Sequence, residues 1–206
     1  MSSAMETSPT AAKRVRLSRE QRLNQLIDVA WSLVRDEGTD ALTLPRLAEA
    51  AAVAKPVVYD HFGTRNGLLA ALYQDFDARQ TVVMDAAIAA SDPTLQGTAR
   101  TIAASYVECV LAQGREIPGV LAALAGSPEL ATVKRTYQLI YIEKCRKVLS
   151  PFTGEKRIAA AAFWAMLGAA DGLSNAAATG DITADEARDE LCETILAIVE
   201  RSVGPA

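Results

Sequence analysis

Two short helical segments lie almost end to end near the N-terminus of this 206-residue chain. Thr43 can cap the first segment. Apolar residues then recur at the helical period: Leu44, Leu47, Ala48 and Ala51. The second segment begins near Lys55, with Pro56 in a first turn that needs no N–H donor. Only residues 52–54 separate the two segments, and two short helices joined so tightly are typical of a helix-turn-helix.

Helical periodicity continues along the whole chain. Small helix formers dominate and runs of β-branched residues are few, which favours helices over strands. The spacing and the Gly and Pro breaks predict nine helices, at about 18–37, 44–51, 55–61, 65–90, 94–113, 117–125, 128–149, 154–179 and 184–203. We therefore expect an all-α fold. Its parts would be a flexible basic arm (1–17), a helix-turn-helix domain (18–64) and a C-terminal helical bundle (65–206).

The N-terminus is basic although the chain carries a net charge of −4. Between positions 13 and 22 only Glu20 opposes five basic residues, which are Lys13, Arg14, Arg16, Arg19 and Arg22. A basic arm on an otherwise acidic protein indicates a polyanionic partner for this end of the chain. The alternative interpretation is a solvated tail.

Composition excludes several classes of protein. The longest apolar stretch, residues 158–170, is too short to cross a bilayer, and residues 1–10 lack the apolar region of a secretory signal. The three cysteines lie too far apart for a metal site and are typical of reduced thiols. No catalytic constellation is apparent, since His61 is the only histidine. We expect a cytoplasmic protein that is not an enzyme and has no catalytic residue, metal or cofactor.

The segment from Thr43 to Leu69, TLPRLAEAAAVAKPVVYDHFGTRNGLL, resembles the DNA-binding segment of the TetR family of transcriptional regulators. The residues that match the family pattern are Thr43, Leu47, Ala48, Ala51, Val53, Val58, Tyr59, His61, Phe62, Thr64, Arg65 and Leu68. Three positions depart from it: Ala52 replaces the usual turn glycine, Ala54 the usual serine cap, and Val57 a common threonine. These departures concern the operator sequence rather than DNA binding itself.

A helix-turn-helix places its second helix in the major groove of DNA, with the N-terminal residues at the base edges. Later residues meet the DNA backbone, and the start of the first helix offers donors to a phosphate. We expect Lys55, Pro56 and Val57 at the base edges. Tyr59, His61 and Arg65 are expected to contact the DNA backbone, and Thr43 a phosphate. The alternatives are a half-buried Tyr59, a structural or solvated His61, and Arg65 as a surface charge.

The two C-terminal helices carry more apolar surface than one partner helix covers. Apolar residues surround the helix at 158–173 nearly completely. The last helix has two stripes: Leu191, Ile195 and Ile198, and beside them Cys192, Leu196, Val199 and Val203. The resemblance implies a homodimer, formed through about residues 154–203. Small residues would allow close helix approach: Ala161, Ala162, Ala165, Gly168 and Ala169. The alternative is a single monomeric core.

The resemblance also implies a small effector held among the helices of the body. The candidate residues are Tyr106, Cys109, Leu124, Tyr137, Tyr141, Phe163, Trp164 and Met166. Each is alternatively plain core, but an apolar lining with tyrosine hydroxyls suits a lipophilic or aromatic ligand. We expect a repressor that a small, largely apolar effector releases from palindromic double-stranded operator DNA. The alternative is a helical ligand-binding or interaction protein without operator function.

Overall fold

The computed structural model describes residues 17–112 and 116–204, and every regular element within these ranges is helical. The expected arm falls, except for Leu17, outside the described residues. The helices are α1 (Arg19–Glu37), α2 (Leu44–Ala50), α3 (Lys55–Phe62), α4 (Arg65–Ala90), α5 (Leu95–Leu111), α6 (Glu116–Leu124), α7 (Pro128–Leu149), α8 (Ala160–Thr179) and α9 (Ala184–Val203). None of the helices in the described ranges is long and apolar enough to cross a membrane.

Side-chain caps begin several of these helices where the sequence predicts them. The Ser18 hydroxyl oxygen accepts a hydrogen bond from the Gln21 amide at 3.1 Å, and the Gln21 side chain completes the reciprocal capping box. Thr43 and Thr64 cap α2 and α4 through their side-chain oxygens. Helix α3 differs because its N-cap residue is Ala54, which has no side-chain oxygen to accept from the first amides.

Helix α8 begins later than the sequence predicts. The expected start near residue 154 is wrong, because residues 150–152 form a 3-10 turn and Gly154 adopts a left-handed φ of 61°. The Thr153 hydroxyl closes this turn, lying 3.0 Å from the Ser150 carbonyl oxygen and 2.8 Å from that of Lys156. Helical geometry resumes only at Ala160.

Two apolar cores share the long helix α4. The first packs α1, α2 and α3 around Leu26, Leu47 and Val58, which are fully buried. The first turns of α4 and helix α6 complete it with Leu68, Leu69, Leu72, Ile117, Val120 and Leu124. The second core lies in the body, among α5, α7, α8, α9 and the far part of α4. The packing of the N-terminal domain therefore extends beyond residue 64, the boundary expected from the sequence.

Helix α6 lies directly against the N-terminal domain. A Cβ atom at Gly119 would lie 2.6 Å from Oγ1 of Thr39, in the short 3-10 turn between α1 and α2. A larger residue at position 119 would push the two elements apart. The glycine thus permits a close contact between the body and the N-terminal domain.

Helix α9 finds its partners inside the chain. It packs against both α5 and α8, and its two apolar stripes are buried except for Val203, which is 39% exposed. Because α5 and α8 together cover both stripes, the apolar surface of α9 does not require a second subunit. Helix α8, in contrast, is buried on one face only. Its other face exposes small residues: Ala161, Ala165, Gly168 and Gly172.

The turn between α2 and α3 contains a strained residue. Ala52 has a φ of 52°, the only positive φ at a non-glycine residue in the described chain. We predict that Ala52→Gly raises the free energy of unfolding by about 0.5–1 kcal/mol in urea and thermal unfolding, because glycine adopts this conformation without a Cβ clash. Ala50→Gly, in the last turn of α2, is the matched control and should lower stability. An equal loss at both positions would show that the turn carries no strain.

Candidate nucleic-acid interface and central cavity

Helix α3 turns one face to the N-terminal core and the opposite face to solvent. Val58 and Phe62 are buried, whereas Lys55, Pro56 and Tyr59 are exposed. Tyr59 is 47% exposed, and no described residue hydrogen-bonds its hydroxyl. Packing alone therefore does not explain this aromatic side chain, which is free to contact a partner.

Hydrogen-bond donors and an apolar side chain lie at the starts of α2 and α3, in the same domain as Tyr59. Thr43 is exposed at the start of α2, where its Oγ1 accepts the Arg46 amide at 3.2 Å and keeps its hydroxyl hydrogen for another acceptor. Lys55 forms no ion pair with any residue in the described part of the chain. Val57 is half-buried and adds apolar surface to the same turn. Hydroxyl, ammonium and methyl groups of this kind suit contacts with phosphates and base edges.

His61 is half-buried near the C-terminal end of α3. Burial lowers the pKa of its imidazole, and the neighbouring Arg19 and Arg22 lower it further against an opposing effect of Asp60. The ring is therefore uncharged at neutral pH and can meet a phosphate as a hydrogen-bond donor but not as a cation. Arg19 supplies positive charge here, since its Nη2 donates to the Asp60 carbonyl oxygen at 3.5 Å.

Arg65 serves the interior of the N-terminal domain. Its Nε donates to the carbonyl oxygen of Leu42 and its Nη2 to that of Thr39, both at 2.8 Å. The Asp40 carboxylate lies 4.0 Å from the same guanidinium. These bonds fasten the first turn of α4 to the connection between α1 and α2. Arg65 therefore stabilises the packing of the N-terminal domain, and its expected phosphate contact stays a prediction.

A cavity lies in the body between α4, α5, α7 and α8. Its volume is about 270 Å³, and it adjoins a second compartment of about 130 Å³. Two carboxylates reach it, from Asp77 on α4 and Asp171 on α8. Four of the five tyrosines in the chain also line it: Tyr73, Tyr106, Tyr137 and Tyr141. The cavity is therefore aromatic and acidic rather than simply apolar.

The four tyrosines form two edge-to-face pairs. The ring centroids of Tyr106 and Tyr141 lie 5.2 Å apart, and those of Tyr73 and Tyr137 lie 5.8 Å apart. The Tyr106 hydroxyl donates to the Asp171 carboxylate at 2.5 Å. Burial raises the pKa of Tyr73 to about 12 and holds the pKa values of Tyr106 and Tyr141 well above their ordinary range. All three hydroxyls therefore stay neutral at physiological pH.

Asp77 receives no hydrogen bond from any residue that the structure describes. Burial raises the pKa of its carboxyl group to about 6, although Lys144 opposes this shift. Lys144 compensates only partly, because its ammonium lies 2.5 Å from Asp85 Oδ1 and 3.3 Å from the Thr81 carbonyl oxygen. The cavity thus holds a negative charge that is partly desolvated and incompletely neutralised.

The cavity contains four of the predicted effector residues, namely Tyr106, Cys109, Tyr137 and Tyr141. The structure does not bring the others to it. Phe163 and Met166 are buried in the body core, and Leu124 is buried in the N-terminal core. The ring of Trp164 packs instead against Arg135, whose guanidinium carbon lies 4.4 Å from the ring centroid.

Sequence reasoning missed Tyr73, Asp77 and Asp171 as residues of the cavity. Tyr73 and Asp77 lie four positions apart, as Tyr137 and Tyr141 do, and this spacing places each pair on one helix face. A tyrosine and an aspartate on the same face of α4 are the sequence signal that could have indicated the cavity. Asp171 gives no such signal, because only the tertiary structure brings α8 beside Tyr106.

An N-terminal helix-turn-helix with an exposed second helix, joined to a helical body that holds a cavity, defines a DNA-binding transcriptional regulator. Residues 26–72 match the model for bacterial regulatory proteins of the tetR family. The match covers most of the N-terminal helices and the first two turns of α4, so it assigns this segment of the chain to the tetR family. No curated protein is significantly similar to it in sequence.

Several solved structures share the fold over most of this chain. The multidrug binding protein EbrR, complexed with imidazole, has a TM-score of 0.66 and 21% identity over 90% of this chain and 97% of its own. The fatty acid degradation regulator FadR from Bacillus halodurans has a TM-score of 0.65 and 15% identity over 85% and 94%. A TetR/AcrR-family regulator from Thermobifida fusca has a TM-score of 0.62 and 22% identity over 85% and 96%. At these identities the likeness establishes the fold of the body.

The raised pKa of Asp77 makes the stability of the protein depend on pH. In the folded protein the Asp77 carboxyl group keeps its proton up to about pH 6, whereas in the unfolded chain it loses the proton near pH 4. The free energy of unfolding should therefore fall as pH rises from about 4 to about 6. We predict that Asp77→Asn stabilises the protein at about pH 7.5 by about 1 kcal/mol, a value reduced from the full shift because the carboxyl group is partly hydrated. Urea unfolding should show that this gain disappears near pH 4. The exposed Asp189→Asn change should give no such dependence.

Proposed function

We propose that this regulator is a repressor that leaves its operator DNA when a small molecule occupies the cavity of the body. The observation that carries the proposal is that one helix, α4, contributes to both sites. Its first turn is bonded into the helix-turn-helix through Arg65, and its middle lines the cavity through Tyr73 and Asp77. A ligand in the cavity therefore touches the same rigid element that supports the DNA-binding domain.

Helix α4 is attached to the N-terminal domain at two points along its length. Arg65 bonds to the connection between α1 and α2, and further along the Trp31 Nε1–H of α1 donates to Asp75 Oδ2 at 2.7 Å. Asp75 lies between Tyr73 and Asp77 in sequence, so this second attachment sits at the level of the cavity. A shift of this stretch of α4 would move α1 and, with it, the helices packed on α1.

Helix α6 provides a second connection. Leu121 lines the cavity, whereas the adjacent Val120 is fully buried in the N-terminal core. Gly119 lies against Thr39 in the turn that Arg65 also bonds. Both α4 and α6 thus join the cavity to the same turn through packed side chains. Coupling through such contacts requires two discrete arrangements of these helices, one of which holds DNA.

The ligand must bind the arrangement that releases DNA more tightly than the arrangement that holds it. It can shift the equilibrium only by this difference in affinity, which is typically about 1–3 kcal/mol in allosteric proteins. By the same linkage, operator DNA should weaken ligand binding by an equal factor.

We also propose that the active species is a homodimer paired through α8. The small exposed residues of α8 recur at steps of four, three and four positions and form one stripe: Ala161, Ala165, Gly168 and Gly172. Small side chains let a second helix approach closely, and a second copy would place a second α3 on the DNA. A two-fold dimer reads a palindromic site, in which each half carries the same sequence.

Operator binding should depend on the exposed face of α3. Lys55→Ala and Tyr59→Ala should each weaken binding to the DNA upstream of the protein's own gene by about 1–3 kcal/mol, because each removes a polar contact without disturbing the core. Fluorescence anisotropy at fixed salt measures the affinity, and circular dichroism checks the helix content. Lys147→Ala, which removes the same charge from α7, is the control and should have little effect. Unchanged affinity in both α3 variants, with the wild type bound, would contradict the assignment of α3.

Dimerisation should depend on the stripe of α8. Ala165→Glu places a charge at its centre and should convert a micromolar dimer to a monomer in sedimentation velocity, because an unpaired buried charge costs several kcal/mol. Ala131→Glu, at an exposed position of α7, should leave the dimer intact. Leu196 is unsuited to this test because it is buried within the chain. A wild-type monomer at micromolar concentration would overturn the proposal.

A further inference from the structure

The cavity between α4, α5, α7 and α8 combines aromatic rings with carboxylates. We propose that it binds organic monocations with an apolar body, such as quaternary or protonated aromatic amines. The inference rests on the proposed function, because it names the chemical class of the effector. It changes the sequence-based expectation of a largely apolar effector by adding one positive charge.

The tyrosine rings provide the first argument. The face of an aromatic ring attracts cations, and aromatic cages are the usual binding sites for quaternary ammonium groups. The cation–π contacts within the described chain are those of Arg79 with Trp31, Arg135 with Trp164 and Arg146 with Phe163. No lysine or arginine of the described residues stacks on a cavity tyrosine. The protein's own cations therefore leave these four rings to a ligand.

The balance of charge provides the second argument. Asp77 on α4 and Asp171 on α8 both reach the cavity. Of the two lysines at its wall, Lys144 is paired with Asp85, and Lys134 is exposed on α7. Two carboxylates thus face a single lysine without a described ion pair. One positive charge on the ligand would restore neutrality.

The desolvation of Asp77 provides the third argument. A carboxylate that is partly shielded from water and has no hydrogen-bond donor is unfavourable, and burial raises the pKa of Asp77 to about 6. A bound cation would relieve this cost, whereas a neutral ligand would leave it and an anion would increase it. Asp171 is better satisfied, because the Tyr106 hydroxyl donates to it. Asp77 is therefore the residue expected to discriminate most strongly by charge.

The size of the cavity limits the ligand. The main compartment of about 270 Å³ is at the small end of ligand sites in proteins. A compact cation with a single ring is therefore a better probe than a large dye. Benzyltrimethylammonium meets this requirement, and neopentylbenzene has nearly the same shape without the charge. Benzylsulfonate supplies the opposite charge on a similar body.

The test is titration of these three probes into the purified full-length chain, followed by calorimetry and by near-UV circular dichroism of the tyrosines. We expect benzyltrimethylammonium to bind about tenfold more tightly than neopentylbenzene, and benzylsulfonate to bind least. Asp77→Asn should weaken the binding of benzyltrimethylammonium about tenfold and change the affinity for neopentylbenzene by no more than about twofold. Asp189→Asn removes the same charge from an exposed site on α9 and should change neither affinity. This control separates a local effect from that of net charge.

Equal or tighter binding of neopentylbenzene, preference for benzylsulfonate, or no binding of the cation at millimolar concentration would each overturn the inference. A second measurement, of operator affinity with and without the probes, separates it from the proposed function. Cation binding that depends on Asp77 but leaves operator affinity unchanged would support the cation site and contradict the regulatory role. Release of DNA by neopentylbenzene alone would support the regulatory role and overturn the cation site.

Discussion

Two hydrogen bonds from the Arg65 guanidinium hold the start of α4 against the turn between α1 and α2. A charged donor to a carbonyl oxygen contributes about 1.5–3 kcal/mol, so this pair of bonds is a firm attachment. Because α4 then continues unbroken to Ala90, its direction at Arg65 determines where Tyr73 and Asp77 lie. The shape of the cavity in the body thus depends on a contact made inside the N-terminal domain.

Departures from locally favourable structure concentrate at the two sites. Ala52 adopts a left-handed φ in the turn of the helix-turn-helix, and Ala54 begins α3 without a side-chain cap. Asp77 lies partly buried in the cavity without a hydrogen-bond donor among the described residues. Each of these costs stability, and each lies at the proposed DNA-binding surface or in the proposed ligand cavity. This distribution is expected when a site is shaped for binding rather than for folding.

Several features of the fold follow from short-range signals that the sequence displays. Ser18, Thr43 and Thr64 have the side chains and positions of N-caps, and the structure confirms all three. The helix-turn-helix was predictable for the same reason, since its pattern lies within some twenty-five residues. The start of α8 was not, because a 3-10 turn and Gly154 interrupt a segment whose composition favours a helix. Apolar composition alone does not locate such a break.

The sequence by itself determined the helical class, most helix limits and the exposed face of α3, because neighbouring residues on one helix set these features. Only the tertiary structure decided that Arg65 braces the N-terminal domain, that α5 and α8 cover both stripes of α9, and that Trp164 lies away from the cavity. It also brought Asp77 and Asp171 from separate helices to one space. The physical reason is that helix periodicity shows which residues share a face, whereas the rotation and packing of the helices select the partner of that face.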